Sequence, residues 1–520
     1  MDTQTPPVIE ALEAKSRRHY KISTVFHVVG IAWGAATFGY GGSIIGTTLG
    51  QPSFIKYMGL DTAPNADQLL GAMNALFYIG GIIGGFLAGF LSDKYGRKFT
   101  VLFGAAITLV ATALTAGSVN IAMFIVFRAI VGLGCFIELA TAPLWITELV
   151  PPKDRGILSD ATAIGVNVGY VSASYVGVGF FYYKDAPLSV WRAPLAIGCL
   201  PCLIVLLWVP FIPESPRYLL LKDQIDKAWE IVKRLHSTSD DPDHTYARAE
   251  FNQMRTQLAI DRGLKSGYIE MFRRPSYRKR VFMGMGLTFA LQSSGVLVIN
   301  NYGTLLYKDL GFNTAQQLLF QAGWLAVSFS LNCAAITIVD RLPRNILMTI
   351  GLTGCLASLI SEAAIQAKYL GGTNKSALAG GVAMLYSYVF FYAMFLDGCS
   401  FWYVGEIFPS HLRANGFALA MAGICLADII WLGAAPTAFA DIGWKYYLFF
   451  IIITAITTVT VFFTFPNTLN VPLEEVARLF GDHDEIAVHA NQSMKQTISD
   501  KHESKDGSIA TYEHVDSLKS

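Results

Sequence analysis

Charge is scarce in this sequence. Of its 520 residues only 15% are Asp, Glu, Lys or Arg, against about 25% in an average soluble domain. Hydrophobic residues make up 53% of the chain, and the mean hydropathy is +0.43. A soluble fold has too little interior to bury that many apolar side chains, so the composition excludes an ordinary soluble domain and indicates a membrane protein.

Patterns typical of catalytic and metal sites are also missing. No phosphate loop, paired metal-ligand spacing or Ser-His-Asp order falls in a segment that would face water. The seven cysteines all lie inside hydrophobic segments, where thiols act as small apolar residues, so we expect no disulfide framework. We therefore predict no enzyme activity, no cofactor and no metal site. The net charge of +1 points to no particular partner, and we expect no nucleic acid.

What the chain does contain is a series of apolar segments of about 20 residues, long enough to cross a bilayer as helices. The predicted spans are 24–48, 68–91, 99–118, 121–147, 157–180, 193–212, 280–303, 317–339, 345–366, 378–405, 414–437 and 444–465. The sequence thus predicts an all-α membrane protein of twelve transmembrane helices in two pseudo-symmetric six-helix bundles. The predicted domains are a tail (1–23), a first bundle (24–212), a central loop with short helices (213–279), a second bundle (280–465) and a second tail (466–520).

Basic residues collect on one side of these spans. They include Lys15, Arg17, Arg18, Lys94, Arg97, Lys98, Lys153, Arg155, Arg341, Arg344 and Arg413, together with the cations of the stretch 217–280. The opposite loops hold only scattered cations. By the positive-inside bias, both termini and the central loop are expected to be cytoplasmic, in a multi-pass protein of the plasma membrane.

One short signature occurs twice, 258 positions apart (406 − 148), each time at the end of an apolar segment. The two copies are Glu148-Leu-Val-Pro151-Pro-Lys-Asp-Arg155 and Glu406-Ile-Phe-Pro409-Ser-His-Leu-Arg413. Glu, Pro and Arg recur at identical offsets, which indicates a duplicated membrane protein. Two such halves are expected to rock against each other, as in a transporter.

Further motifs accompany this duplication. They are the stretch 89–98 with Asp93, Gly96 and Arg97, the stretch 340–345, Pro213-Glu214-Ser-Pro216-Arg217, Trp191-Arg192, Gln292-Ser-Ser294-Gly295 and Gly443-Trp444-Lys445-Tyr446-Tyr447. Together they resemble the sugar porter family of the major facilitator superfamily, in its fungal form, over roughly residues 25–480. The resemblance implies a monomeric carrier in the lipid bilayer that moves a small-molecule solute, a sugar, either passively or together with protons.

Charged residues at the predicted cytoplasmic helix ends are candidates for an inner gate. They are Asp93, Arg97, Glu148, Arg155, Asp340, Arg344, Glu406 and Arg413. Carboxylate–guanidinium pairs could latch the inner ends together when the cavity opens outward and separate when it opens inward. We expect Arg155 and Arg413 to pair with acids of this gate, including Glu148, Glu406 and Asp93. The alternative is that these charges only mark the membrane boundary.

The resemblance also implies amide side chains that hold a hexose, and several are replaced here. Ala163 occupies the position where the resemblance implies a glutamine in helix 5. In helix 7, Leu291 replaces one of two expected glutamines and Gln292 remains. The candidate solute-binding residues are Gln292, Asn301, Asp397, Phe401, Trp402 and Asp428, with Asn167 as a further polar group and either aromatic as the stacking face. Because the polar set is depleted, a non-sugar solute stays open as an alternative: a polyol, an acidic sugar or a secondary metabolite. A nutrient sensor is a further rival.

Proton coupling is a separate question, because Gly41 stands where proton-driven members resembling this chain have an aspartate near the arginine of helix 4, here Arg128. Ionisable groups within a bilayer are costly and usually functional, which makes Glu138, Asp397 and Asp428 the candidates. Asp397 is the first choice, since it lies one helical turn before Phe401.

Glu138 and Asp397 occupy near-equivalent places in the two halves and are expected to face each other across the cavity. The alternatives are a facilitator and structural carboxylates satisfied by neighbouring groups. Asn374-Lys-Ser376, in a predicted external loop, fits an N-glycosylation acceptor.

Overall fold

The computed structural model describes residues 21–150, 158, 161–183, 189–237, 244–263, 267–335, 337–338, 341–369, 375–409, 412–469, 476 and 479–481. Within these ranges the chain forms helices joined by short connections, and no β-strand occurs. Helices suit a chain this apolar, because each helix satisfies its own backbone hydrogen bonds in the absence of water.

The first half contains six membrane-crossing helices. Its elements are α1 (Ile22–Leu49), the short α2 (Pro52–Tyr57), α3 (Ala66–Tyr95), α4 (Arg97–Ala116), α5 (Ile121–Leu149), α6 (Ala161–Phe181), and α7 (Arg192–Ile197) with α8 (Cys199–Trp208), which together form one crossing. Four helices follow between the halves: α9 (Pro216–Leu221), α10 (Ile225–His236), α11 (Thr245–Gly263) and α12 (Tyr268–Arg273). We call the end of the bundles from which α9–α12 emerge the loop face, and the other end the opposite face.

The second half repeats the arrangement. Its elements are α13 (Pro275–Gln292), α14 (Val296–Asp309), α15 (Thr314–Ala335), α16 (Arg344–Tyr369), α17 (Lys375–Phe395), α18 (Asp397–Ile407), α19 (Arg413–Ile442) and α20 (Tyr447–Thr464). Eleven described stretches are long and apolar enough to cross a membrane, and the last, Arg413–Thr464, contains both α19 and α20. The prediction of twelve membrane helices is therefore confirmed.

Three predicted spans are interrupted where the sequence pattern suggested continuous helices, the sixth crossing at Gly198 between α7 and α8. The seventh crossing breaks at Ser293–Gly295, where Gly295 has φ +90 and a Cβ would lie 2.9 Å from the Phe450 ring. Only glycine takes up that backbone conformation readily. The Trp431 indole N–H donates to the Ser293 hydroxyl over 2.8 Å, which fixes the break against α19. The tenth crossing is interrupted at Leu396, between α17 and α18.

The two halves touch through α1 and α14, α3 and α19, and α6 and α15. Near the opposite face α3 and α19 meet backbone to backbone, since a Cβ on Gly71 would overlap the carbonyl oxygen of Gly433. There, too, the Thr304 hydroxyl of α14 donates to the Gly46 carbonyl of α1 over 3.0 Å. Small residues let membrane helices approach this closely. These contacts join the bundles at the end away from α9–α12.

Candidate functional site

The loop face of the first half carries a buried ion pair. Arg97 begins α4 and Glu148 lies one residue before the end of α5, and their side chains are 6% and 5% exposed. Arg97 Nε and Nη2 each lie 2.9 Å from a Glu148 oxygen, a two-point arrangement that fixes both side chains. The Ser215 hydroxyl also donates to Glu148. The pair therefore ties α4 and α5 to the segment that leads into α9.

Glu214 strengthens the same junction. Its carboxylate accepts the backbone N–H groups of Arg97 and Lys98, at 3.1 and 3.3 Å, and so caps the start of α4. Unpaired N–H groups at a helix start favour a negative charge in this place. Burial raises the pKa of the Glu214 carboxyl, and the backbone donors and Arg97 offset part of that rise. Gly96, with φ +97, makes the tight turn before α4, and a Cβ there would meet Glu214.

The second half has a corresponding but more open pair. Arg344 begins α16, and its Nη2 and Nε lie 3.1 and 3.4 Å from Glu406 of α18. The Thr468 hydroxyl donates to the same carboxylate over 2.5 Å. The Arg344 guanidinium also lies 5.7 Å from the centre of the Trp402 ring, a cation–π distance. The Glu406 side chain is 30% exposed, so water reaches this pair.

These contacts give each gate glutamate an arginine partner that the sequence had not paired with it. The described partners of Glu148 and Glu406 are Arg97 and Arg344, arginines of their own halves; the pairing of Arg155 and Arg413 with these acids stays a prediction. Asp93 is 77% exposed and 3.9 Å from Arg97, on the rim of the pair. Arg413 is half-buried at the start of α19. Arg155, Asp340 and the possible glycosylation site Asn374 lie outside the described residues.

The break in the seventh crossing places two polar side chains on either side of it. Gln292 ends α13 and is half-buried, while Asn301 in α14 is 1% exposed. The side-chain oxygens of both are buried without a hydrogen-bond donor. Asn167 of α6 is engaged: its oxygen accepts from Ser328 of α15 over 3.4 Å. Gln292 and Asn301 thus offer free acceptors to a molecule that carries hydroxyl groups.

The two aromatic candidates separate in the structure. Phe401 is half-buried and its ring centre lies 6.0 Å from that of Phe417 in α19. Trp402 turns back along its own helix, where a Cβ on Gly398 would be 3.6 Å from the indole. The Trp402 ring therefore packs beside Arg344 of the Arg344–Glu406 pair. Phe401 is the better candidate for the aromatic ring on which a sugar would stack.

Asp397 and Asp428 stand in different environments. Asp397, at the start of α18, is half-buried and accepts a hydrogen bond from the Asn332 amide over 3.0 Å. Asp428 in α19 is 1% exposed, and its Oδ2 has no hydrogen-bond partner. Tyr170 of α6, in the other half, interacts electrostatically with both carboxylates. The two acids therefore flank one region between the bundles.

Glu138 does not join them, so the expectation that it faces Asp397 across a cavity is wrong. Its carboxylate is fully buried inside the first bundle, where the Thr108 hydroxyl of α4 donates to it over 3.3 Å. Gly34 of α1 leaves room for it, since a Cβ there would lie 3.3 Å from Glu138 Oε2. The similar distances of Glu138 and Asp397 from their motifs along the chain made the two acids look equivalent. In the structure, Glu138 lies on the side of α5 that faces α1 and α4.

A further acid inside a membrane-crossing helix, Glu362, was not among the residues predicted from the sequence. Glu362 of α16 is 1% exposed and accepts a hydrogen bond of 2.8 Å from Gln366, one turn along the same helix. A Cβ on Gly381 of α17 would lie 3.0 Å from its other oxygen. The signal was present in the sequence, because Glu362 falls inside the predicted span 345–366.

The model of the family described as Sugar (and other) transporter matches residues 27–480. An MFS-type transporter (criB) of Aspergillus cristatus is 29% identical over 451 residues, which cover 86% of this chain and 91% of that protein. A high-affinity glucose transporter of Kluyveromyces lactis is 28% identical over 481 residues, covering 88% and 86%.

Among solved structures, the partially occluded inward-open xylose transporter XylE from E. coli superposes with a TM-score of 0.73 at 22% identity, covering 86% of this chain and all of that one. That likeness bears out the two-bundle fold. Because the family model spans most of the sequence, the chain belongs to the Sugar (and other) transporter family, the sugar porters of the major facilitator superfamily.

Proposed function

We propose that this chain carries a sugar or sugar-like solute across a membrane by alternating access, with Gln292, Asn301 and Phe401 in contact with the solute. The observation that carries the proposal is the pair of buried amide oxygens without donors on either side of the break in the seventh crossing. A sugar hydroxyl donates to such an oxygen and accepts from an amide N–H at the same time. The half-buried Phe401 ring supplies an apolar face for the sugar ring.

The acids of the cavity favour a neutral solute. Asp397 is half-buried, with one amide donor from Asn332. A solute carboxylate placed near it would meet a like charge in a region of low dielectric, at a cost of several kcal/mol. This argues for a sugar over an acidic sugar, in agreement with the relatives that are named glucose transporters.

The described state is proposed to open toward the cytoplasm. Hydrogen bonds and backbone contacts hold the bundles together near the opposite face, through Gly46 with Thr304 and Gly71 with Gly433. Basic residues concentrate at the loop face, which the positive-inside bias assigns to the cytoplasm together with both termini. We propose the plasma membrane as the location and a monomer as the working unit.

In this state the loop-face pairs act within each bundle. Arg97–Glu148 and Arg344–Glu406 each join helices of one half, so they keep each bundle rigid while it moves. Arg155 and Arg413 remain the proposed contacts that close the loop face between the halves in the alternate state. Such pairs would separate into water as the cavity opens to the cytoplasm.

The test is uptake of a panel of labelled sugars by yeast that lacks its own transporters, at two external pH values. We expect uptake of at least one sugar, and Gln292→Ala should raise its KM about tenfold, equivalent to ~1.4 kcal/mol, because one hydrogen bond is lost. Gln253→Ala, at an exposed position of α11, is the matched control and should leave KM unchanged. Uptake of no sugar by a protein that reaches the membrane would refute the proposal.

A further inference from the structure

Arg128 is a buried cation without a carboxylate beside it. It lies in α5 with 2% exposure, and its guanidinium donates to the carbonyls of Gly41 and Gly42 over 2.5 and 3.3 Å. The Phe77 ring covers it at 4.7 Å. No carboxylate of the described residues makes an ion pair with it. Carbonyl dipoles and a ring face compensate a full charge only in part, so Arg128 needs a negative group elsewhere.

Asp428 is the complementary case in the other bundle. Its side chain is 1% exposed and Oδ2 has no hydrogen-bond partner. The titratable groups that face it among the described residues are Tyr78 of α3, Tyr170 of α6, Tyr392 of α17 and Cys425 of α19 itself. None of them is a cation. A carboxylate in this place must be neutralised, either by a proton or by a positive charge that comes to it.

Tyr78 connects the two. Its side chain is 3% exposed and interacts electrostatically with both Asp428 and Arg128. The helix that carries it, α3, packs against both α5 and α19. The positive charge of one bundle and the acid of the other thus both lie within electrostatic reach of the same phenol. A tilt of the bundles changes the distance between them.

We propose that Asp428 is the counter-charge of Arg128 and the group that carries the transported proton. The proposal rests on the proposed function as a solute carrier. In the described arrangement Asp428 is a protonated carboxylic acid, and the carbonyls of Gly41 and Gly42 hold Arg128. When the bundles tilt and α19 approaches α5, the O–H bond of Asp428 breaks, the proton passes to water in the open cavity, and the carboxylate pairs with Arg128.

The same geometry argues against Asp397, the first choice from the sequence. Asp397 has a fixed amide donor from Asn332 and is only half-buried. Both stabilise a carboxylate without any change in the bundles. Asp428 Oδ2 has no such donor and the residue is 1% exposed. Whether Asp428 is charged therefore depends on how the two halves are positioned relative to each other.

The experiment measures labelled D-glucose in proteoliposomes, both as accumulation driven by a pH gradient and as counterflow without one. One pH unit is worth ~1.36 kcal/mol, which supports about tenfold accumulation by a carrier that moves one proton per sugar. Asp428→Asn should reduce the accumulation ratio to about 1 and keep counterflow, because an amide mimics the protonated acid. Glu362→Gln, which also neutralises a buried acid of the second bundle, is the control and should still accumulate glucose.

A second variant tests the counter-charge role itself. An acid can be introduced at position 41 if the Cys135 side chain shifts by a few tenths of an ångström, since a Cβ on Gly41 would lie 3.2 Å from its sulfur. A cavity of about 20 Å³ opens beside it, lined by Thr37, Thr108 and Arg128 among others. Gly41→Asp in the Asp428→Asn background should restore several-fold accumulation, because it returns a carboxylate to Arg128.

Each outcome decides between the proposals. Absence of glucose counterflow in the wild-type protein counts against the proposed function. If the wild-type protein shows counterflow but its uptake does not respond to the pH gradient, the inference about Asp428 is overturned and the proposed function is not. The inference also fails if Asp428→Asn still accumulates glucose, if it loses counterflow as well, or if Gly41→Asp restores nothing.

Discussion

Replacing Arg97 with Met should destabilise the protein much more than replacing Arg344 with Met, although the two arginines hold equivalent places in the two halves. The difference lies in what each substitution leaves behind. Without Arg97, Glu148 keeps 5% exposure and only the Ser215 hydroxyl as a described partner. Without Arg344, Glu406 is 30% exposed to solvent and still accepts from Thr468.

These environments set the expected magnitudes. Removing one partner of a buried, two-point ion pair costs about 3–5 kcal/mol, because the remaining charge is buried without compensation. Removing one partner of a pair that water reaches costs about 1–2 kcal/mol. We therefore expect Arg97→Met to exceed Arg344→Met by roughly 2–3 kcal/mol in the free energy of unfolding. Methionine keeps most of the side-chain volume, so lost packing contributes little.

Thiol labelling offers a direct assay. Cys135, Cys202, Cys355, Cys399 and Cys425 are buried free thiols, and a dye that reacts with thiols reaches them only as the protein unfolds. Dye reaction against denaturant concentration, in detergent, gives the unfolding midpoint of each variant. Asp93→Ala is the matched control, because Asp93 is 77% exposed and should cost less than ~0.5 kcal/mol. Equal losses for the two arginines, or a larger loss for Arg344→Met, would refute this reasoning.

Three further predictions concern the gate, the break and the surface. Gly295→Ala should cost about 1–3 kcal/mol and reduce transport, because φ +90 strains alanine and its Cβ meets Phe450; Gly286→Ala, where a Cβ meets nothing within 4 Å, is the control and should be silent. Arg413→Ala should leave folding and membrane delivery intact while transport falls by an order of magnitude or more, since the loop-face contact between the halves is lost; normal uptake by a well-expressed variant would contradict this. If Asn374 carries a glycan, glycosidase should shift the gel band of the wild-type protein and not that of Asn374→Gln, and an unmoved wild-type band would exclude it.

The number of membrane helices followed from the sequence because long apolar runs leave few choices in a bilayer. The break at Ser293–Gly295 did not, since it depends on Phe450 lying against Gly295 and on the Trp431 indole reaching Ser293. Those contacts join residues more than 130 positions apart. The Gln292-Ser-Ser-Gly295 motif marked the place, and only the packing of α19 and α20 explains why the chain bends there.

Pairing between charges was the least predictable part. The duplicated motif identified Glu148 and Glu406 correctly as charged helix ends, and it suggested the arginines seven residues later as partners. The observed partners, Arg97 and Arg344, begin the preceding helix or an earlier one in each half. Which arginine reaches a glutamate depends on how the helices are arranged around one another. A linear motif records spacing along the chain and carries no such information.

The seam at Gly71 and Gly433 has a consequence for the rate of the cycle. Where side chains interlock, two moving bodies must change rotamers at every swing, and each change adds a barrier. At Gly71 and Gly433 the two backbones meet directly, so no side chains interlock between α3 and α19 at this point. A single methyl group at position 71 would overlap the Gly433 carbonyl oxygen, so it would force α3 and α19 apart and weaken the contact on which the two halves meet.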